Sequence, residues 1–395
     1  MIDWILIFAC LLSAALIVYH HVGYPIFLKW YSTRHPLKCV KETLRGYRTN
    51  KADRARPTIT LLIPAYNEER WIADKIRNIA SLDYPRDRLK VIIACDGCTD
   101  HTVEIAQDTI QEALCADTFI EVRAFEENRG KLALINEQIL TIDSDITALS
   151  DVSALVSIDA LLVAEQHFKS SKTGVVTGSY RLLESLSLGE AKYWKYQTQV
   201  KQNEASLGST LGAHGALYLF RTHLFEPLPE NTINDDFVIP MEIVKQGYKA
   251  KYDSNMVALE MEATNEHNDF KRRLRISAGN MQQAIRLSDL FLPKHKGVAF
   301  AFFSGKGLRL ITPYLMITCL VCSIALMEHP IFMAALCAQI AVYSAAILTL
   351  SFPHIFDYKV FKLLSYIVSG HYANFIGGLR YLIGLESGRW TRINH

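Results

Sequence analysis

Apolar residues in this chain gather in two blocks at its ends, and strand-like and helix-like segments alternate between them. Residues 4–28 are apolar apart from His20 and His21 and are long enough to cross a bilayer. Near the other end, residues 310–327 and 331–350 have similar length, and Glu328-His329-Pro330 makes a tight turn between them. Two further segments read as interfacial: the short run 298–303, and 360–385, which mixes Lys, His, Asn and Gly among aromatics. A fourth span at 360–385 is the other reading of that pattern and would place the C-terminus outside.

Between the blocks the period changes. Residues 59–63 form a buried-strand pattern ending in Pro64-Ala65-Tyr66-Asn67-Glu68-Glu69, followed by a helix with Ile72, Ile76 and Ile79 on one face. A second strand, 89–94, ends in Asp96-Gly97-Cys98-Thr99-Asp100, and its helix carries Val103, Ile110 and Leu114. A third, 119–125, leads into Glu127-Asn128-Arg129-Gly130-Lys131 and a helix through Leu134 and Ile139. The fourth, 146–149, delivers Ser150-Asp151-Val152-Ser153. Repetition of strand, polar turn and helix predicts an α/β fold with a doubly wound, mostly parallel sheet and right-handed crossovers. Glu68, Asp96, Lys131 and Asp151 should then converge at the C-terminal edge of the strands, where open α/β sheets bind ligands. The expected division is an N-terminal transmembrane helix with a basic segment (1–50), a cytosolic catalytic domain (51–290), and interfacial helices with a transmembrane hairpin (291–395).

Charge sets the orientation. Lys29, Arg34, Lys38, Lys41, Arg45, Arg48, Lys51, Arg54 and Arg56 follow the first block, against Glu42 and Asp53 alone. Lys359, Lys362, Arg380, Arg389 and Arg392 follow the last span. By the positive-inside rule both flanks are cytosolic. Only Asp3 precedes the first block, so no cleaved signal peptide is indicated. The expectation is an integral membrane protein of the plasma (inner) membrane with its catalytic domain in the cytosol. Half of the residues are hydrophobic, and 42 Lys and Arg against 40 Asp and Glu give no global attraction to nucleic acid.

The eight cysteines form no secreted framework. Cys95 and Cys98 lack a second pair and straddle Asp96-Gly97, so they read as part of that turn and not as a zinc or redox site. Neither GxGxxG nor GxxxxGK[ST] occurs, which excludes a Rossmann fingerprint and a P-loop.

Taken in order, Pro64-Ala65-Tyr66-Asn67-Glu68, Cys95-Asp96-Gly97-Cys98-Thr99-Asp100, Arg129-Gly130-Lys131-Leu132-Ala133-Leu134-Ile135-Asn136 and Ser150-Asp151 resemble the successive motifs of family-2 glycosyltransferases, nucleotide-sugar enzymes of GT-A fold. The likeness continues at Gly212-Ala213-His214-Gly215-Ala216-Leu217-Tyr218, at Asn234-Asp235-Asp236-Phe237, and at Arg272-Arg273-Leu274-Arg275 with Asn280 and Gln283. It implies that Ala65, Tyr66 and Glu68 line the nucleoside, with Asp96 accepting the N–H of a uracil-like base. Lys131 would meet the diphosphate at a helix start, and Asp151 would anchor Mg²⁺ or Mn²⁺. The family's usual second acid is replaced here by Ser153, which offers a hydroxyl in its place.

By the same resemblance Asp236 is the catalytic base and Asp235 its support, and two adjacent carboxylates resist joint ionisation. His214 and Arg272 fall on the acceptor side, and Arg275 would hold a diphosphate. Processive members carry Gln-x-x-Arg-Trp near Arg275; this chain keeps the arginine and lacks the Gln and Trp. The implied reaction is inverting transfer of a sugar from a nucleoside diphosphate donor, UDP-linked, to a hydroxyl of a carbohydrate or lipid-linked acceptor in envelope or extracellular polysaccharide synthesis, with a partner for export. Two rivals are a processive polysaccharide synthase and a non-catalytic nucleotide-sugar-binding membrane scaffold.

Overall fold

The structure is a computed structural model that describes residues 2–37, 45–183, 188–262, 266–352 and 358–386. Lys38, Cys39, Lys41, Glu42, Arg389 and Arg392 lie outside the described residues. The chain divides into two compact units. One takes Met1–Arg34, Ser185–Tyr196 and Asn265–Glu386; the other takes His35–Glu184 with Gln197–Thr264.

The first unit opens with helix α1 (Ile2–Val18), a π-helical turn Tyr19–Gly23, and α2 (Tyr24–Arg34). Together they make a continuous 33-residue run, long and apolar enough to cross a membrane.

The second unit is an eight-stranded sheet flanked by helices. Its first half follows the strand–helix alternation: β1 (Ile59–Ala65), α3 (Ile72–Ala80), β2 (Leu89–Asp96), α4 (Thr102–Thr109), β3 (Phe119–Phe125), α5 (Lys131–Ile139) and β4 (Ile146–Leu149). Every residue of β1 and β4 is buried, as expected of parallel strands covered on both faces. β5 (Ala154–Val156), α6 (Ala160–Phe168), β6 (Thr173–Leu182), α7 (Leu188–Ala205, belonging to this unit from Gln197), β7 (Tyr218–Arg221), α8 (Asp235–Lys245) and β8 (Lys249–Glu260) complete it.

The strand order is β3-β2-β1-β4-β7-β6-β8-β5. From β3 to β4 all neighbours run parallel. Beyond β4 the sheet is mixed: β7 is antiparallel to both β4 and β6, β6 and β8 are parallel, and β5 is antiparallel to β8. The expected mostly parallel sheet is therefore found, with antiparallel pairings confined to β4–β7, β6–β7 and β5–β8. This reversal matters for chemistry. In the β4–β7 register Leu149 stands opposite Tyr218, so the turn entering β7 lies at the edge where β4 ends, and Gly215 meets Asp151.

The remaining helices belong to the first unit: α9 (Glu266–Arg286), α10 (Gly297–Ala301), α11 (Leu308–Ala325), α12 (Pro330–Ser351) and α13 (Lys359–Leu382). Segment 298–303 is not a separate interfacial piece. α10 continues through a π-helical segment, Phe302–Gly307, into α11, giving one apolar run Gly297–Ala325. Lys306 and Arg309 do not interrupt the backbone ladder, which widens at Phe302–Gly307 instead of breaking. With α12, the described residues hold three helices long and apolar enough to span a membrane.

Candidate active site

The residues expected on the nucleoside side come from two neighbouring strand ends. The β1–β2 register sets Ala65 beside Cys95, and the turns beyond them are laced together. Asn67 accepts from Thr99 N–H at 2.8 Å, Glu69 N–H donates to Asp100 Oδ2 at 3.2 Å, and Glu68 N–H donates to Thr102 Oγ1 at 2.7 Å. Asp100 Oδ1 also accepts from Thr102 N–H at 3.0 Å, just ahead of α4. Tyr66 and Glu68 are half-buried beside these turns, while Ala65 is fully buried.

Asp96 is fully buried at the end of β2, and its Oδ2 accepts from Gly130 N–H at 2.8 Å. Its Oδ1 has no hydrogen-bond partner among the described residues, the nearest cation being Arg129 Nε at 3.8 Å. A buried carboxylate oxygen left in that state is one that a ligand N–H can satisfy. Gly97, at φ +64°, lets the turn pack directly on the next strand's exit: a Cβ there would lie 2.3 Å from Asn128 N. Cys98 donates weakly to the Ala65 carbonyl at 3.7 Å. Its contact with Cys95 holds the Cys98 thiol down at about 7, against burial, which pushes it up.

The charged centre assembles around Lys131, the first residue of α5. Its Nζ lies 2.7 Å from Asp151 Oδ1 and 3.9 Å from Asp235 Oδ2. Burial works to raise the Asp151 carboxyl, but the charge and hydrogen bond of Lys131, with His214 and Lys75 nearby, overcome it and hold Asp151 below its ordinary value. Asp151 N–H donates to the Gly215 carbonyl at 3.1 Å. A Cβ on Gly215 would sit 2.5 Å from Asp151 Oδ2, so glycine keeps that oxygen uncovered. Ser153 is nearly buried, and its carbonyl accepts from Met261 N–H at 2.9 Å.

Asp235 and Asp236 open α8, and the Asp236 carbonyl accepts from Ala213 N–H at 2.9 Å, tying α8 to the Gly212–Gly215 turn. Burial, then the neighbouring Asp235 charge, push the Asp236 carboxyl above its ordinary value, while Lys131 and Lys201 pull the other way. His214 stacks on Tyr180 with ring centroids 3.6 Å apart, and its Nδ1 accepts from Ala216 N–H at 3.3 Å. Asp151, Lys131, Asp235, Asp236 and His214 are thus brought together, with Asp96 at the end of β2, which β1 separates from β4. Arg272 and Arg275 lie on α9 in the other unit, Arg275 exposed.

Four residues at this centre were not read from sequence. Lys201 of α7 donates to the Ala213 carbonyl at 2.9 Å; burial lowers its pKa against the pull of Asp236 and Glu204. Tyr180 supplies the ring under His214, and Tyr218 stands beside Leu149, its hydroxyl buried among the three aspartates' fields. Lys75 of α3 is fully buried, and burial draws its ammonium down to about 7 although Asp151 and Glu260 oppose the shift. Of these, only Tyr218 lay in a sequence motif; the others follow no pattern.

The mixed α/β sheet is that of the GT-A class. The chain belongs to the glycosyltransferase-like family 2, whose model matches residues 57–279. Poly-beta-1,6-N-acetyl-D-glucosamine synthases of Staphylococcus aureus (strain N315) and Staphylococcus epidermidis are 26% and 24% identical to it over 236 residues. Those matches cover 58% of this chain and 56% of theirs, so the chain spans little more than half the length of these curated relatives. A mannosyltransferase from Pyrobaculum calidifontis, solved in complex with GDP-Man and Mn²⁺, superposes with a TM-score of 0.69 at 22% identity, covering 96% of this chain and 100% of that one. That likeness is one of fold.

Proposed function

We propose that this protein is an inverting, metal-dependent glycosyltransferase, anchored in the plasma (inner) membrane with its catalytic unit in the cytosol. It moves a sugar from a nucleoside diphosphate donor, UDP-linked, to a hydroxyl of a carbohydrate or lipid-linked acceptor. The observation that carries this reading is the junction of Asp151, Lys131 and the Asp235-Asp236 pair at one sheet edge, with Asp96 Oδ1 unsatisfied at the end of β2. Asp96 accepts the N–H of the base. Lys131 offsets charge on the donor diphosphate, and Asp236 takes the proton of the acceptor hydroxyl as its oxygen attacks the anomeric carbon opposite the leaving group. In-line attack of that kind inverts the anomeric centre.

Among the described residues no group of three His, Cys, Asp or Glu side chains could cage a metal. A hard divalent ion needs no such cage when substrate phosphates supply most of its oxygens, and Asp151, with Oδ2 uncovered over Gly215, fits as the one protein carboxylate. Mg²⁺ or Mn²⁺ held there would neutralise charge on the departing diphosphate.

The experiment is a donor panel with purified protein in detergent, with Mn²⁺ or Mg²⁺, scored by released nucleoside diphosphate and product length. Release from a UDP-sugar in the presence of a sugar acceptor is expected. Absence of both release and nucleoside diphosphate binding would sink the reading. The named relatives favour one alternative: a ladder of long products would make the enzyme a processive synthase.

A further inference from the structure

Lys75 occupies the face of α3 that sends Ile72, Ile76 and Ile79 into the core, and none of its surface reaches solvent. A buried ammonium is costly unless hydrogen bonds and opposite charge meet it. Its Nζ donates to Ser150 Oγ at 2.6 Å and also to the Ala154 carbonyl. Those acceptors bracket Asp151-Val152-Ser153 on both sides. Ser150 Oγ in turn donates to the Ala216 carbonyl at 2.5 Å, one residue beyond the Gly215 carbonyl that receives Asp151 N–H. Ala154 stands opposite Glu260 in the β5–β8 register, and the carboxylates acting on Lys75 are those of Asp151 and Glu260.

We propose that Lys75 is a positioning residue for sugar transfer: it clamps both ends of the turn that presents Asp151 and, through Ser150, fixes that turn against the entry of β7. The proposal rests on the reading of Asp151 as the donor-diphosphate anchor. It accounts for a cation in a helix face otherwise filled with isoleucine. A lysine that only filled space would exchange for methionine, of similar length and apolar stem, without consequence for the ligand.

The test uses the full chain in detergent, with affinity for UDP or GDP plus Mn²⁺ measured calorimetrically beside thermal stability, kcat, and the separate KM values of donor and acceptor. Lys75→Met is expected to stay folded and to weaken nucleoside diphosphate binding and raise donor KM by about 10–100-fold, the usual cost of losing a group that orients a metal-binding side chain. The acceptor KM should not change. Ser150→Ala should shift the same quantities by less. The double variant should be no worse than Lys75→Met alone, because both act through one chain of hydrogen bonds. A folded Lys75→Met protein with parental donor KM and nucleoside diphosphate affinity overturns the proposal. Should Lys75→Met not fold, parental affinity in Ser150→Ala overturns it equally. A parent protein that binds neither UDP nor GDP overturns instead the functional reading beneath it.

Discussion

Lys131 and Asp151, twenty positions apart in the chain, meet at 2.7 Å between Nζ and Oδ1. One begins the helix after β3 and the other lies two residues beyond the end of β4, so the pair spans two strand exits and closes the charged centre. Lys131 serves two acids at once, with Asp235 Oδ2 at 3.9 Å. Replacing it with methionine leaves three neighbouring carboxylates without their shared cation and lets the Asp151 carboxyl rise. Donor turnover should fall by about 10²–10³-fold, the scale of losing one preorganised charge at a reacting diphosphate. Steady-state kinetics with the donor found active would check this, and Lys131→Arg should restore part of the loss.

Asp236→Asn removes the proposed base while keeping shape. The expected result is a kcat lower by about 10²–10⁴-fold, with unchanged nucleoside diphosphate affinity by calorimetry. Parental turnover in this variant would reassign the base.

The pH profile follows from burial and from the charged groups that tilt Asp236 in opposite directions. A general base works deprotonated, so activity is lost as pH falls through its pKa, and burial with Asp235 places that limb above the ordinary aspartate range. Asp235→Asn removes a raising charge and should move the acid limb of kcat/KM to lower pH. Lys201→Met removes a lowering charge and should move it higher. Shifts in the same direction for both variants would contradict the assignment.

Much of this arrangement is legible in the chain itself. β1, β2 and β4 are short apolar runs ending in polar residues, because strands buried on both faces need continuous hydrophobicity and their ends are where backbone emerges. That logic brings Asp96, Lys131 and Asp151 to one edge before any coordinates exist. It fails where pairing is non-local: three-residue β5 carries no periodic signal, and the antiparallel insertion of β7 beside β4 depends on contacts 69 positions apart, as in Leu149 with Tyr218. Lys75 escapes for a different reason. At one helical turn from Ile72 and Ile79, a lysine reads as the exposed exception, and only the acceptors at Ser150 and Ala154 show that it points inward. Likewise the charges of Lys306 and Arg309 separate the runs 298–303 and 310–327 in the sequence, whereas the helix carries them through a local change of pitch.

Two glycines separate folding from binding. At Gly97 a Cβ would meet backbone, 2.3 Å from Asn128 N and 2.6 Å from Glu127 C, in a residue already at φ +64°. Neither backbone can yield cheaply, so Gly97→Ala should lower stability by about 1–3 kcal/mol from strained backbone alone, seen as a drop in Tm. Gly215 has an ordinary backbone conformation, and its added Cβ would meet only the far end of a side chain, Asp151 Oδ2 at 2.5 Å. The carboxylate can swing aside, at the cost of its bond to Lys131 and of the uncovered oxygen. Gly215→Ala should therefore keep a Tm close to the parent's while nucleoside diphosphate and Mn²⁺ affinity falls by about 10–100-fold. A Gly215→Ala protein that melts early but binds normally would mean that this glycine serves the turn and not Asp151.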